Sequence, residues 1–129
     1  MIRPDTNEES LMTAEFTIYH NPQCSKSRKT LELLRAAEIE PTIVEYLRSP
    51  PDAAELKDIL AKLRISAREL MRQKESEFTD LQLDDPTLDD EALIAAMVDN
   101  PILIERPIVV TEQRAAIGRP PEAVMELFN

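Results

Sequence analysis

Side chains able to do redox or nucleophilic chemistry are few in this chain, and two of them sit together. The only cysteine, Cys24, and the only histidine, His20, are four positions apart in HNPQCSKSRK, with Ser25, Lys26, Ser27 and Arg28 directly after the thiol. A thiol reacts as its thiolate, and an ordinary pKa near ~8.5 leaves only a few per cent ionised at neutral pH. A reactive Cys24 therefore needs something to stabilise its anion. A helix beginning near Ser25 would do so, because its unpaired N–H groups and positive dipole end would face the sulfur. The hydroxyls of Ser25 and Ser27 could donate to it, and Lys26, Arg28 and His20 could add positive charge. The competing reading is that Cys24 is a small buried apolar residue, as most free cysteines are. Its place between a proline turn and a polar helix start, outside any apolar period, favours reactivity. His20 taken alone reads equally well as a packed, hydrogen-bonded histidine.

The same helix start suits a tetrahedral oxyanion, since N–H groups that stabilise a thiolate also bind phosphate or sulfate. Arginine completes such a site with a planar fork that stays charged at any relevant pH. A single cysteine makes no internal disulfide, and one cysteine with one histidine does not build a zinc site of the usual structural type. No metal is expected, and any redox partner of Cys24 has to come from outside the chain.

The elements that must hold this stretch are legible around it. FTIYH, from Phe16 to His20, alternates and is rich in aromatic and β-branched residues, so it reads as a strand that NPQC then breaks. Leu31, Leu33, Leu34 and Ala37 fit a helix from Ser25 that ends before Pro41, and TIVEYL follows as a second strand. Strand, helix and strand over about thirty residues form a βαβ unit with parallel strands and a right-handed crossover. Asp52 is placed to cap a helix running through Leu63, and Ser66 with Glu69 forms a capping box for a shorter helix ending near Arg72. Thr87 is the expected cap of a further helix in LDDEALIAAMVDN. ILIERPIVVT and RAAIG resemble two short strands, and RPPEAVMELF a closing helix with proline near its first turn.

Length and composition agree with one domain. A chain of 129 residues is a usual domain size, 43% hydrophobic and 31% charged residues are ordinary for a soluble protein, and no apolar run approaches the roughly 20 residues of a membrane helix. The net charge of −10 argues against nucleic acid, whose phosphates require a basic face, and leaves small molecules or proteins as partners. The acidic run from Glu75 to Glu91 reads as solvated surface, because the glycine and ligand spacing of a calcium loop is missing. Residues 1–14 lack the apolar core of a secretory signal and are too acidic for a transit peptide. They are expected to be a loose extension, with residues 15–129 as one domain in the cytoplasm.

A βαβ half joined to a ββα half, with a cysteine opening the first helix and a proline beginning a late strand, resembles the thioredoxin and glutaredoxin fold. That resemblance implies a mixed α/β sheet of about four strands, with the helices of residues 50–100 as an insertion and a cis proline facing the cysteine. A closer resemblance follows from IYHNPQCSKSRKTLELL, PTIVEYLRSPP, ISARELMRQK and NPILIERPIVVT with IGRP, which are similar in order and spacing to motifs of the glutaredoxin-coupled arsenate reductases. It covers the chain from about Phe16 to Phe128. The resemblance implies that His20 and Ser27 tune the Cys24 thiolate and that Arg72, Arg106 and Arg119 bind the oxyanion. Judged from the residues alone, Arg72 could merely complement a helix end, whereas Arg106 precedes a proline that restricts it. Arg119 follows Gly118 and precedes two prolines in a loop that the resemblance brings near the site. Arg28 and Arg114 read as surface charges.

Phosphatase-like arsenate reductases carry an arginine six positions after the cysteine, and here that position is Thr30. The resemblance therefore implies the externally resolved reaction, with arsenate as substrate, glutathione as co-substrate, glutaredoxin as protein partner and no bound cofactor. Two rivals share the fold. One is an RNA-polymerase-binding regulator of the Spx type, whose Cys-x-x-Cys switch reads CSKS here. The other is a glutathione-dependent thiol reductase that does not act on arsenate.

Overall fold

A computed structural model describes residues 16–128, so the extension expected over residues 1–14 lies outside the described residues. The chain divides into two compact units. One comprises the described residues up to Glu45 with those from Arg106 onward, and the other is Tyr46–Glu105.

The first unit is a four-stranded sheet with one long helix and a closing turn. Its elements are β1 (Thr17–His20), α1 (Ser25–Ala36), β2 (Thr42–Glu45), β3 (Ile108–Val110), β4 (Ala115–Ile117) and a final 3-10 helix, Pro121–Leu127. The strand order is β2-β1-β3-β4. β1 runs parallel to β2, with Ile18 opposite Ile43, and antiparallel to β3, with Ile18 opposite Val109; β3 and β4 are antiparallel, with Ile108 opposite Ile117. This is the mixed βαβ and ββα sheet expected of a thioredoxin-like fold.

Periodicity explains which face is covered. β1 alternates so that Ile18 and His20 turn inward. α1 buries Ser27, Thr30, Leu31 and Leu34, the i, i+3, i+4, i+7 stripe of one helix face. Leu31 and Leu34 join Phe16, Ile18, Val109 and Val124 in the core, and the Phe16 and Phe128 rings meet edge to face at 6.3 Å. Losing the fully buried Leu34 side chain to alanine would cost about 2–5 kcal/mol. The first half of the same stripe is polar, and that half faces the candidate site.

α1 stops well before Pro41, and its own end explains why. Glu38 takes a left-handed φ of 65°, the Glu38 N–H donates to the Arg35 carbonyl, and the Ile39 N–H donates to the Leu34 carbonyl, a Schellman closure that turns the chain toward β2. The strand expected as TIVEYL ends at Glu45.

The second unit is helical: α2 (Ala53–Leu63), α3 (Ala67–Leu70), α4 (Ser76–Asp80), α5 (Asp90–Asp99) and a 3-10 turn, Pro101–Leu103. α5 packs against α2, α3 and that turn, with Leu56, Ile59, Leu70, Leu93 and Met97 buried. Asp52 and Glu55 form a reciprocal capping box on α2, as Ser66 and Glu69 do on α3.

Four local expectations are corrected. α5 is capped by Asp89, whose Oδ1 accepts the Ala92 N–H at 2.9 Å; Thr87 is engaged in the preceding turn, where its N–H and hydroxyl both donate to Asp85 Oδ1. α3 ends at Leu70, because Met71 leaves the helix to bridge Ile104. ILIERPIVVT is not one strand: Pro101 opens a 3-10 turn, Pro107 has no N–H to donate to a ladder, and β3 begins only at Ile108. The closing RPPEAVMELF segment is 3-10 rather than α-helical, with Ala123 N–H donating to the Pro120 carbonyl three residues back. Among the described residues, no helix is long and apolar enough to cross a membrane.

Candidate active site

Cys24 is the N-cap residue of α1, with extended backbone angles of φ −98° and ψ 123° and no side-chain cap at that end. Asn-Pro at positions 21 and 22 makes the turn that delivers it: the Asn21 carboxamide accepts the Gln23 N–H at 2.9 Å, and the Asn21 carbonyl accepts the Cys24 N–H at 3.0 Å. No acidic side chain lies in the first turn of α1. The helix start is thus left to the sulfur.

Burial is the largest single influence on the Cys24 thiol and pushes its pKa up. The Ser27 N–H, the Arg106 side chain and the Lys26 N–H hydrogen-bond the anion, and the Arg106 charge attracts it. Together they outweigh burial and hold the thiol below its ordinary range. Arg119 Nη2 lies 3.9 Å from Cys24 Sγ, at the edge of hydrogen-bonding reach for sulfur, while its Nε donates to the Arg106 carbonyl at 2.8 Å. Arg106, just before β3, and Arg119, just after β4, therefore meet at the sulfur from the same open end of the antiparallel β3–β4 hairpin.

Ser27 acts differently from expectation. Its hydroxyl is fully buried, lies 2.6 Å from His20 Nδ1 and accepts the Asn21 N–H at 3.0 Å, so its backbone N–H, rather than its hydroxyl, serves the thiolate. His20 is also buried. Desolvation is the main cause that lowers its pKa below 6.5; the Arg35 and Arg28 charges add to this, and Glu45 opposes it. The imidazole is neutral at neutral pH and enters the site as a hydrogen-bonding partner of Ser27, not as the positive charge expected from its proximity. Arg28 is exposed and donates through Nη1 to the Pro22 carbonyl at 2.8 Å, bracing the loop before Cys24.

Arg72 belongs to the helical unit. There its Nη1 pairs with Glu75 at 3.0 Å, its Nε lies 3.7 Å from Glu105, and its backbone N–H donates to the Leu103 carbonyl. Cys24, His20, Ser27, Arg106 and Arg119 are brought together in the sheet unit. The peptide bond between Arg106 and Pro107 is cis, as is that between Arg119 and Pro120.

Sequence reasoning passed over two contributors. Asn21 organises the approach to Cys24, and the Asn-Pro turn signal marked it. Thr30, noted only as a missing arginine, is fully buried and donates its hydroxyl to the Lys26 carbonyl at 2.8 Å.

The model of the ArsC family matches residues 19–127 of the chain. The chain belongs to the ArsC family. Its relatives in that family include the uncharacterized protein YfgD of Escherichia coli strain K12, 59% identical across 92% of this chain and 100% of YfgD. An arsenate reductase of Neisseria meningitidis serogroup B is 50% identical, over 85% of this chain and 95% of that protein. Among solved structures, an arsenate reductase from Vibrio cholerae superposes with a TM-score of 0.87 at 47% identity, covering 91% of this chain and 98% of that one. The ArsC-family fold is thus shared at backbone level, with Cys24 at the opening of its first helix.

Proposed function

We propose that the protein reduces arsenate to arsenite through the Cys24 thiolate, with glutathione and glutaredoxin supplying the other thiols. The observation that carries this reading is the placement of one sulfur at the N-terminus of α1, stabilised by the Ser27 and Lys26 N–H groups and by Arg106, with Arg119 Nη2 3.9 Å away. Groups that favour a thiolate also favour a tetrahedral oxyanion, so nucleophile and anion share one cradle. The arsenate reductases among its relatives give the oxyanion its identity.

The thiolate attacks arsenic and forms a sulfur–arsenic bond, and one arsenate oxygen leaves as water after taking up protons. Glutathione then replaces a second arsenic-bound oxygen, which also leaves as water, so that arsenic carries both sulfurs. A glutaredoxin thiol takes the glutathione sulfur as a mixed disulfide, and the electron pair of the broken bond stays on arsenic. Hydrolysis of the remaining sulfur–arsenic bond releases arsenite and restores Cys24. In sum, arsenate and two thiols become arsenite, one disulfide and water. His20 and Ser27 hold the helix start, and Arg106 and Arg119 receive the oxyanion charge. The role of Arg72 as a third oxyanion residue rests on the family resemblance and is tested by substitution.

Arsenite formation from arsenate, measured with glutathione, glutaredoxin and a reductant, tests the proposal. Wild type should turn over and Cys24→Ser should not. Equal rates for the two proteins would defeat it, as would glutathione-dependent disulfide reduction without any arsenite. Copurification with RNA polymerase in place of turnover would favour the regulator.

A further inference from the structure

Gly118 is the only glycine in the chain, and its φ is not in the left-handed region that usually calls for glycine. Space is the reason it is there. A Cβ at Gly118 would run into Thr30 Oγ1 and come within 2.8 Å of Pro107 Cγ and 3.3 Å of Pro107 Cδ. Thr30 lies on α1, the helix that carries Cys24 at its start, and its hydroxyl is fixed by its bond to the Lys26 carbonyl. Lys26 in turn offers its N–H to the sulfur.

On the other side of this contact, two hydrogen bonds stitch the arginine-bearing segments together. The Gly118 N–H donates to the Pro107 carbonyl at 2.9 Å, and the next residue, Arg119, donates through Nε to the Arg106 carbonyl at 2.8 Å. The two bonds tie the backbone of the Arg106 segment to that of Gly118 and to the Arg119 side chain. Where these segments meet α1, the bare Cα of Gly118 lies against the Thr30 hydroxyl.

We propose that Thr30 and Gly118 are positioning residues: their contact is the stop that sets how closely the Arg106–Arg119 pair approaches the sulfur at the start of α1. Gly118 and Thr30 are both buried and closely packed, so their contact fixes a separation rather than permitting a range. The inference rests on the reading of Cys24 and these arginines as the reacting site, but its readout does not require arsenate turnover.

Gly118→Ala, Thr30→Ala and the double variant test it by the pH dependence of Cys24 alkylation and by protection of Cys24 with inorganic sulfate. Gly118→Ala should raise the alkylation midpoint by about half a pH unit or more, since one unit is the scale on which a single strong partner acts. It should also need several-fold more sulfate for half protection. Thr30→Ala should shift both in the same direction by less, and combined with Gly118→Ala it should recover part of the loss by making room for the new methyl. A folded Gly118→Ala protein with the wild-type midpoint and sulfate protection overturns the proposal. If Gly118→Ala does not fold, unchanged values in Thr30→Ala overturn it. A normal shift in these variants alongside absent arsenite production would sink the proposed function and leave this inference standing.

Discussion

The Ser27 hydroxyl lies 2.6 Å from His20 Nδ1 with both residues buried, while the backbone N–H of Ser27 is a hydrogen-bond donor to Cys24. One residue therefore joins the end of β1 to the start of α1 with its side chain and stabilises the thiolate with its main chain. The nucleophile inherits its environment from how firmly that junction is held.

Ser27→Ala should expose this dependence. It removes the acceptor of the Asn21 N–H and the partner of His20, and a buried polar group left unmatched costs about 1–3 kcal/mol. Chemical denaturation should show a loss of that size. The Cys24 alkylation midpoint should rise as well, because the Ser27 N–H is no longer held in place. A loss of stability with no change in midpoint would separate the junction from the thiolate.

Stability should decline on the acid side through His20. Its folded pKa is depressed below 6.5, so above that pH both folded and unfolded states carry it neutral. As pH falls, the unfolded state takes up a proton that the folded state resists, and stability is lost until the folded pKa is passed. Urea melts from pH 8 to pH 5 should show this slope, and His20→Asn should flatten it. Parallel curves for the two proteins would assign the acid sensitivity to other groups.

Arg106→Ala should weaken both the thiolate and oxyanion handling. The Arg106 guanidinium hydrogen-bonds the sulfur and attracts it by charge, and a hydrogen bond to a charged group contributes about 1.5–3 kcal/mol. Removing it should lower kcat/KM for arsenate about ten- to a hundredfold and raise the alkylation midpoint. Arg106→Lys should retain the charge and recover only part of the rate, because the planar fork is lost. Unchanged arsenate kinetics in Arg106→Ala would remove that side chain from the site.

Local rules were readable wherever the decisive interaction is short in sequence. The alternation in FTIYH, the apolar stripe of α1, the Asp52 cap and the Ser66–Glu69 box all depend on residues within one or two turns of each other. The fold departs from these local rules where two local signals compete. Thr87 and Asp89 were both chemically fit to cap α5, and the prior engagement of Thr87 with Asp85 decided between them. Pro101 and Pro107 broke a stretch whose β-branched composition reads as continuous strand.

The sequence by itself determined that a lone thiol would stand where a strand hands over to a polar helix start, because turn, cap and period are local properties. It also determined that no second cysteine could close an internal disulfide. Tertiary structure alone decided which groups meet that thiol. Arg119 is 95 residues from Cys24 along the chain, and only the antiparallel pairing of β3 with β1 and of β4 with β3 puts its guanidinium near the sulfur. Likewise, burial made His20 a neutral partner of Ser27, and the closeness of Thr30 and Pro107 leaves no room for a side chain at Gly118. Charge state and separation depend on what surrounds a group in space, and that information is distributed over the whole fold.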